Sequence, residues 1–275
     1  MNDYLIENIL KNTLIEDIGG GDITTNAIIK KNKTSTAKLI AKENGIIAGL
    51  DFFCKTFWLL DKNIKIKLVK QDGDVCRKKE ICANLTGNCA ALLTAERAAL
   101  NILQHLSGIA TATSKFVDIA KKYNVKIADT RKTLPGLRIL QKYAVRIGGG
   151  INHRSGLYDH ILIKDNHIKA AGSIENAVKS AKNISFTNKI EVEVSNLSEL
   201  REALKMNVDI IMLDNFSPEK ILEAKKIING KALIEVSGNI TLDNLEDYCK
   251  CQPDIISVGA LTHSVKALDF SLKFE

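Results

Sequence analysis

Ile190-Glu191-Val192-Glu193-Val194, then Leu197 to Met206, then Ile210-Ile211-Met212-Leu213-Asp214-Asn215 is the stretch that decides the fold. Its outer pieces are β-branched apolar runs of strand length, and the piece between them reads as a helix. A helix between two strands carries the chain back before the second strand starts, so the two strands pair in parallel. The same rhythm continues on both sides. Val125–Ala128, Ile161–Ile163, Leu233–Val236 and Ile255–Val258 are further strand-like runs, and Ser173–Ala181, Pro218–Ile228 and Leu242–Cys249 read as helices between them. Repetition of this kind in so short a span predicts a closed or incomplete βα barrel, with a doubly wound open sheet as the alternative.

The chain before this repeat looks different. A helix is expected over Tyr4–Ile15, followed by the glycine loop Gly19-Gly20-Gly21-Asp22 and short strands at Ala37–Ala41, Ile46–Ala48 and Ile64–Lys70. These read as a small α+β unit. A longer helix over Leu92–Leu106 carries the apolar stripe Leu92, Ala95, Ala99, Ile102 and Leu106, with Gly108 read as its stop.

Composition narrows the class. With 275 residues, 45% hydrophobic and 26% charged, the chain has enough apolar material for one large core or two unequal ones and lies far from the disordered regime. No run of eighteen apolar residues occurs, and Asp3 and Glu7 replace the basic start of a secretion signal, so a cytoplasmic enzyme is expected. None of the six cysteines forms a C-x-x-C pair, which argues for reduced, packed thiols rather than a zinc or redox site. A net charge of +7 suits nucleic acid or anionic small molecules. Aromatics at only 5%, and basic clusters as scattered as Arg77-Lys78-Lys79 and Lys225-Lys226, count against a continuous nucleic-acid face.

The polar residues cluster where the strands end: Asp129-Thr130-Arg131-Lys132, Lys164-Asp165-Asn166, Asp214-Asn215, Ser237-Gly238-Asn239 and Ser257-Val258-Gly259. In a parallel barrel these ends share one face, where such folds build their sites. Between Asp129 and His167 seven cations face three acids, with His153, His160 and His167 among them. Gathered on one face, those cations would repel one another until an anion neutralised them, and arginine grips planar carboxylates with paired hydrogen bonds. The histidine spacing of seven and seven fits no zinc motif, and His160 reads as a core histidine. Glu193 shares a strand face with Glu191 and is placed in the barrel mouth, with Asp214 at the end of the next strand. These acids can meet ribose hydroxyls, orient Mg²⁺ through water or stabilise a cationic sugar carbon, and a salt bridge of Glu193 to Lys164 is the alternative. The small-residue turns Gly148-Gly149-Gly150, Ser237-Gly238-Asn239 and Ser257-Val258-Gly259 suit phosphate. The residues thus describe a site for a phosphorylated sugar beside a flat, acidic ring.

Several strings resemble the quinolinate phosphoribosyltransferase family, the carboxylating nicotinate-nucleotide pyrophosphorylases. They are Glu16-Asp17-Ile18-Gly19-Gly20-Gly21-Asp22, Thr94-Ala95-Glu96-Arg97, Asp129 to Arg138, Gly148 to Arg154, Leu162 to His167, Glu191 to Val194 and Leu213-Asp214-Asn215, which span nearly the whole chain. The resemblance implies an α/β fold with an N-terminal α/β sandwich over 1–108, joined by 266–275, and a βα barrel, open or incomplete and TIM-like, over 109–265. It also implies a homodimer in which Arg97 reaches the partner's pocket. Arg131, His153, Arg154 and Lys164 would grip the two carboxylates of quinolinate, with Thr130 beside them and Lys132 serving both substrates. Glu193 and Asp214 would face the ribose and the Mg²⁺ of phosphoribosyl pyrophosphate, and Ser237, Gly238, Asn239, Ser257, Val258 and Gly259 would cradle phosphate. Asn239 stands where some members carry a second glycine. Lys132, Lys164, Glu193 and Asp214 are the expected catalytic residues. A molybdenum-associated relative, a nicotinate phosphoribosyltransferase and a basic anion-binding or nucleic-acid-binding protein are the alternatives.

Overall fold

The computed structural model describes residues 3–30, 32–184 and 187–275. The chain divides into two compact units. The first comprises Met1–Ser114, Thr133–Gly149 and Thr262–Glu275; the second comprises Lys115–Lys132 and Gly150–Leu261.

In chain order the first unit begins with α1 (Asp3–Ile18), α2 (Ile23–Ile28), β1 (Thr34–Ala41), β2 (Gly45–Ile46), α3 (Leu50–Leu60), β3 (Lys65–Leu68), β4 (Val75–Cys76), β5 (Ile81–Asn88) and α4 (Cys89–Ala120). The last strand of the chain, β12 (Phe270–Phe274), returns to it. An antiparallel sheet in the order β12-β1-β5-β3 forms, beside the small pair β2-β4. Alternation along β1 buries Ala37, Leu39 and Ala41 on one face, where they join Phe53, Phe57, Leu85, Leu92 and Leu103 in a single core. The five predicted stripe residues of the long helix are all buried.

That helix does not stop at Gly108. It runs from Cys89 to Ala120, and Gly108 lies inside it. The glycine serves contact rather than termination, because a Cβ there would sit 2.3 Å from the Lys266 carbonyl oxygen. Gly108→Ala is therefore expected to destabilise the fold by about 1–3 kcal/mol, the usual range for overpacking, despite alanine's higher helix propensity. A urea midpoint equal to or above that of the parent protein would contradict this.

Residues 133–149 belong with the first unit although they follow the first strand of the second. Their helix α5 (Arg138–Ile147) supplies polar anchors. Tyr143 donates its hydroxyl to Asp72 Oδ2 at 2.6 Å, while Asp72 also accepts the amides of Gly49 and Leu50. Gln141 accepts from the Leu134 amide at 2.9 Å and approaches His105 Nε2 at 2.7 Å. These groups are buried or half-buried, so leaving one unpaired would be costly, and that holds the segment in place.

The second unit contains β6 (Lys126–Ala128), β7 (Ile161–Ile163), α6 (Asp165–Ala171), α7 (Ile174–Ile184), β8 (Ile190–Val194), α8 (Leu197–Lys205), β9 (Ile210–Asp214), α9 (Pro218–Ile228), β10 (Leu233–Ser237), α10 (Leu245–Lys250) and β11 (Ile255–Ser257). The short α11 (Ala260–His263) follows. The six strands form one parallel sheet in the order β6-β11-β10-β9-β8-β7. First and last strands are neighbours, which is the winding of a barrel, here left open between β6 and β7. At the β6 edge Ile151 adds a parallel bridge to Ala128. The helices start where their sequence permits: Asn196 accepts the amides of Ser198 and Glu199, and Ser217 precedes Pro218 at the first turn of α9.

All six cysteines are buried free thiols, and burial pushes Cys54 and Cys82 up to about 12, which makes them poor thiolates. No helix among the described residues is long and apolar enough to cross a membrane.

Candidate active site

Because the strands of the second unit are parallel, their carboxyl ends lie along one edge. Register sets Asp214 beside Ser237 and Ser257 beside Ala128, while Glu193 pairs with Met212 one pleat lower. Asp129, fully buried just past β6, accepts the His153 amide at 2.9 Å and the Asn152 side chain at 2.6 Å. This carboxylate fixes the start of the segment that leads from the β6 edge into β7.

Arg154 stands on that segment and its guanidinium donates to the His160 carbonyl at 3.1 Å. Burial lowers the Arg154 pKa first and the Arg131 charge lowers it further, while Glu191 opposes both. Two arginines thus sit close enough to repel, which an anion between them would relieve. Lys164 forms an ion pair with Glu193. Its charge also reaches Glu235, the next acid in the interior. The salt bridge considered for Glu193 therefore exists, at a half-buried position open to a ligand.

Asp214 accepts from the Asn215 amide group at 2.8 Å. Asn215 is left-handed (φ 56°), and its amide donates to the Ser237 carbonyl at 2.8 Å. Gly238 has φ 107°, and a Cβ there would lie 2.2 Å from Asn215 Oδ1, so only glycine fits. Asn239 adopts φ 51°, a conformation asparagine tolerates, and donates to Asn215 Oδ1 at 3.1 Å. The Ser237-Gly238-Asn239 turn is thus built directly against Asp214. Ser257 is buried, the Val258 amide is committed to the Ala128 carbonyl at 2.9 Å, and Gly259 follows at a half-buried position. Thr130 accepts the Lys132 amide at 3.0 Å, and Lys132 itself is exposed. Arg97 is exposed on α4 in the first unit.

Beneath the cations lies a polar cluster that the sequence reading did not assemble. Glu191 Oε2 meets His153 Nε2 at 3.1 Å and His160 Nε2 at 2.8 Å, and Glu235 Oε1 lies 3.6 Å from His153 Nε2. The two imidazoles meet edge to face, 5.8 Å apart. A cavity of about 290 Å³ opens onto these groups and onto Arg154. A signal existed: Glu235 is a carboxylate within the apolar run Leu233–Val236, the same oddity that drew attention to Glu193. Burial raises the Glu191 pKa, but the two imidazole hydrogen bonds outweigh it and hold the group low. For Glu235 burial and then the Glu191 charge act together, and it is pushed up to about 7.

His153, Glu191 and Glu235 place ligand atoms within 4.8 Å of one another, a spacing that could hold a metal ion. The proton inventory opposes this. His153 Nδ1 accepts the Arg154 amide at 2.8 Å, so the ring's proton sits on Nε2, the atom a metal would need bare. A metal-bound histidine normally donates from its other nitrogen, and here that nitrogen accepts.

The Glu235 shift has a stability consequence. Between the ordinary value of 4.5 and about 7 the folded chain holds a proton that the unfolded chain has lost, so this group's contribution declines as pH rises through that window. Glu235→Gln, which cannot ionise, should be near neutral at pH 5 and gain up to about 3 kcal/mol over the parent at pH 8. Denaturant titrations at the two pH values check this; a difference independent of pH would contradict it.

The family description "Quinolinate phosphoribosyl transferase, N-terminal domain" matches residues 22–107, and its C-terminal counterpart matches residues 109–273. The chain is 51% identical to a probable nicotinate-nucleotide pyrophosphorylase [carboxylating] of Methanocaldococcus jannaschii, covering 99% of this chain and 98% of that protein. It is 46% identical to the Bacillus subtilis protein described in the same words, covering 99% and 94%. Among solved structures, the nicotinate-nucleotide pyrophosphorylase from Francisella tularensis superimposes with a TM-score of 0.96 at 44% identity, covering 100% of this chain and 98% of that one. NadC from Streptococcus pyogenes gives 0.95 at 42% identity, covering 100% and 99%.

Proposed function

The chain belongs to the quinolinate phosphoribosyl transferase family, and from that premise we propose that it joins quinolinate to phosphoribosyl pyrophosphate, giving nicotinate mononucleotide, pyrophosphate and carbon dioxide. The observation that carries the reading is the clustering of Arg154, with the charge of Arg131 near it, the Lys164–Glu193 pair and Asp214 on the second unit. Guanidinium groups so placed match a planar dicarboxylate.

In the reaction the bond from the sugar carbon to pyrophosphate breaks, and the ring nitrogen supplies the electron pair that replaces it. The sugar carbon is cation-like between the two events, and Glu193 and Asp214 are the acids to stabilise it. The positive ring nitrogen then draws the electrons of the adjacent carboxylate bond, carbon dioxide leaves, and a proton takes up the pair left on the ring carbon. Arg131, Arg154 and Lys164 hold the substrate carboxylates, while His153, whose ring nitrogens meet Glu191 and the Arg154 amide, supports Arg154 rather than gripping a carboxylate itself; Lys132 serves both substrates, and Thr130 orders the Lys132 backbone. The turns at 237–239 and 257–259 take phosphate. Glu193 and Asp214 offer the hard oxygen donors that Mg²⁺, carried in with phosphoribosyl pyrophosphate, prefers, and there it would neutralise phosphate charge. Positioning and charge complementarity carry the rate, with no base needed to activate the nucleophile.

Incubation with phosphoribosyl pyrophosphate, Mg²⁺ and either quinolinate or nicotinate tests the reading. Turnover with quinolinate and release of carbon dioxide are expected; turnover with nicotinate alone would reject the substrate. The expected assembly is a cytoplasmic homodimer in which Arg97 completes the partner's site. Mixing Arg97→Ala chains with Lys132→Ala chains should then restore part of the activity that each lacks alone. Verified mixed dimers with no recovery would mean that each pocket is self-contained.

A further inference from the structure

The segment from His153 to His160 carries Arg154 and leads from the β6 edge into β7, and both of its ends converge on one buried carboxylate oxygen. Glu191 is fully buried, and its Oε2 takes His153 Nε2 at 3.1 Å and His160 Nε2 at 2.8 Å. Arg154 is tied to each of those histidines, through its amide to His153 Nδ1 at 2.8 Å and through its guanidinium to the His160 carbonyl at 3.1 Å. With Nδ1 occupied by a donor, the His153 proton is confined to Nε2 and aimed at Glu191. His153 thereby spends both ring nitrogens within the protein.

We infer that Glu191 is a positioning residue for the substrate grip: by accepting from both imidazoles it pins the two ends of the 153–160 segment and so aims Arg154 at the dicarboxylate. His153 and His160 act as struts between Glu191 and the arginine. The inference rests on the proposed phosphoribosyl transfer and assigns that site a residue one pleat below Glu193 on β8. Burial and then Arg131 act against the Arg154 charge while Glu191 supports it, so the guanidinium's aim depends on the His160 carbonyl that holds it. A misplacement of about 1 Å can cost about a hundredfold in such a site.

A double-mutant cycle with Glu191→Ala and Arg154→Ala tests this. In the parent protein Glu191→Ala should raise the KM for quinolinate about ten- to a hundredfold and leave that for phosphoribosyl pyrophosphate within about threefold. Added to Arg154→Ala, it should cost less than about threefold more. Glu191→Gln keeps a carbonyl oxygen for both imidazoles and should recover most of the loss. Equal losses in both backgrounds, or parallel rises in both KM values, would overturn the inference. Should Glu191→Ala fail to fold, His160→Gln and His160→Leu replace it: the first keeps a donor for Glu191 and should stay near parent values, the second should raise the quinolinate KM, and equal values for the two would overturn the inference as well. A parent protein that neither binds nor turns over quinolinate defeats the proposed reaction itself, whereas normal parental turnover with an additive cycle defeats only the role of Glu191.

Discussion

Arg154→Ala should lower kcat/KM for quinolinate by about thirtyfold to several thousandfold, the span that about 2–5 kcal/mol of a lost, partly desolvated charge contact implies. The size follows from where the guanidinium sits. It is half-buried, hydrogen-bonded to the His160 carbonyl, and its charge is opposed by burial and then by Arg131 while Glu191 supports it. On the proposed site, the alanine variant leaves one substrate carboxylate short of a partner. Most of the loss should therefore appear in the quinolinate KM, with the pyrophosphate donor little affected. Steady-state kinetics on a variant with a parental unfolding midpoint decide the matter, and unchanged constants would remove Arg154 from the site.

Glu193→Ala should behave in the opposite manner. On the proposed role of Glu193 beside the cation-like sugar carbon, its loss should reduce kcat about 10²- to 10³-fold, the usual effect of deleting one group that stabilises transition-state charge. The same change frees Lys164, now paired with Glu193, to meet a substrate carboxylate. The KM for quinolinate should thus stay the same or fall. A rise in that KM with kcat intact would show that Glu193 serves only to hold Lys164 in place, the purely structural use of the pair.

How far the sequence reached differs between the two units. In the second, the strands are short and largely apolar and α7, α8 and α9 each bury an apolar stripe, so local pattern and global topology coincide, and the six parallel strands match the expected rhythm. The strand-end residues Lys164, Asp214 and Ser237 could be singled out because a polar group at the end of an apolar strand has one edge of a parallel sheet to occupy. In the first unit, by contrast, Gly108 read as a helix stop and proved to be a contact glycine inside α4. A glycine's conformational freedom is visible in sequence; the carbonyl of Lys266 that needs its missing side chain is not.

Residues 190–215 and their repeats thus determined by themselves the parallel βα architecture, because a period of two followed by a period near 3.6 allows little else. The strings around Arg131, Arg154 and Lys164 pointed to an anionic ligand, because such side chains complement planar anions. Tertiary structure alone decided that His153 and His160 share one oxygen of Glu191, and that burial and then the Glu191 charge push Glu235 up to about 7. Burial and proximity set these properties, and both depend on atoms brought together from β8, β10 and the segment between Ile151 and β7.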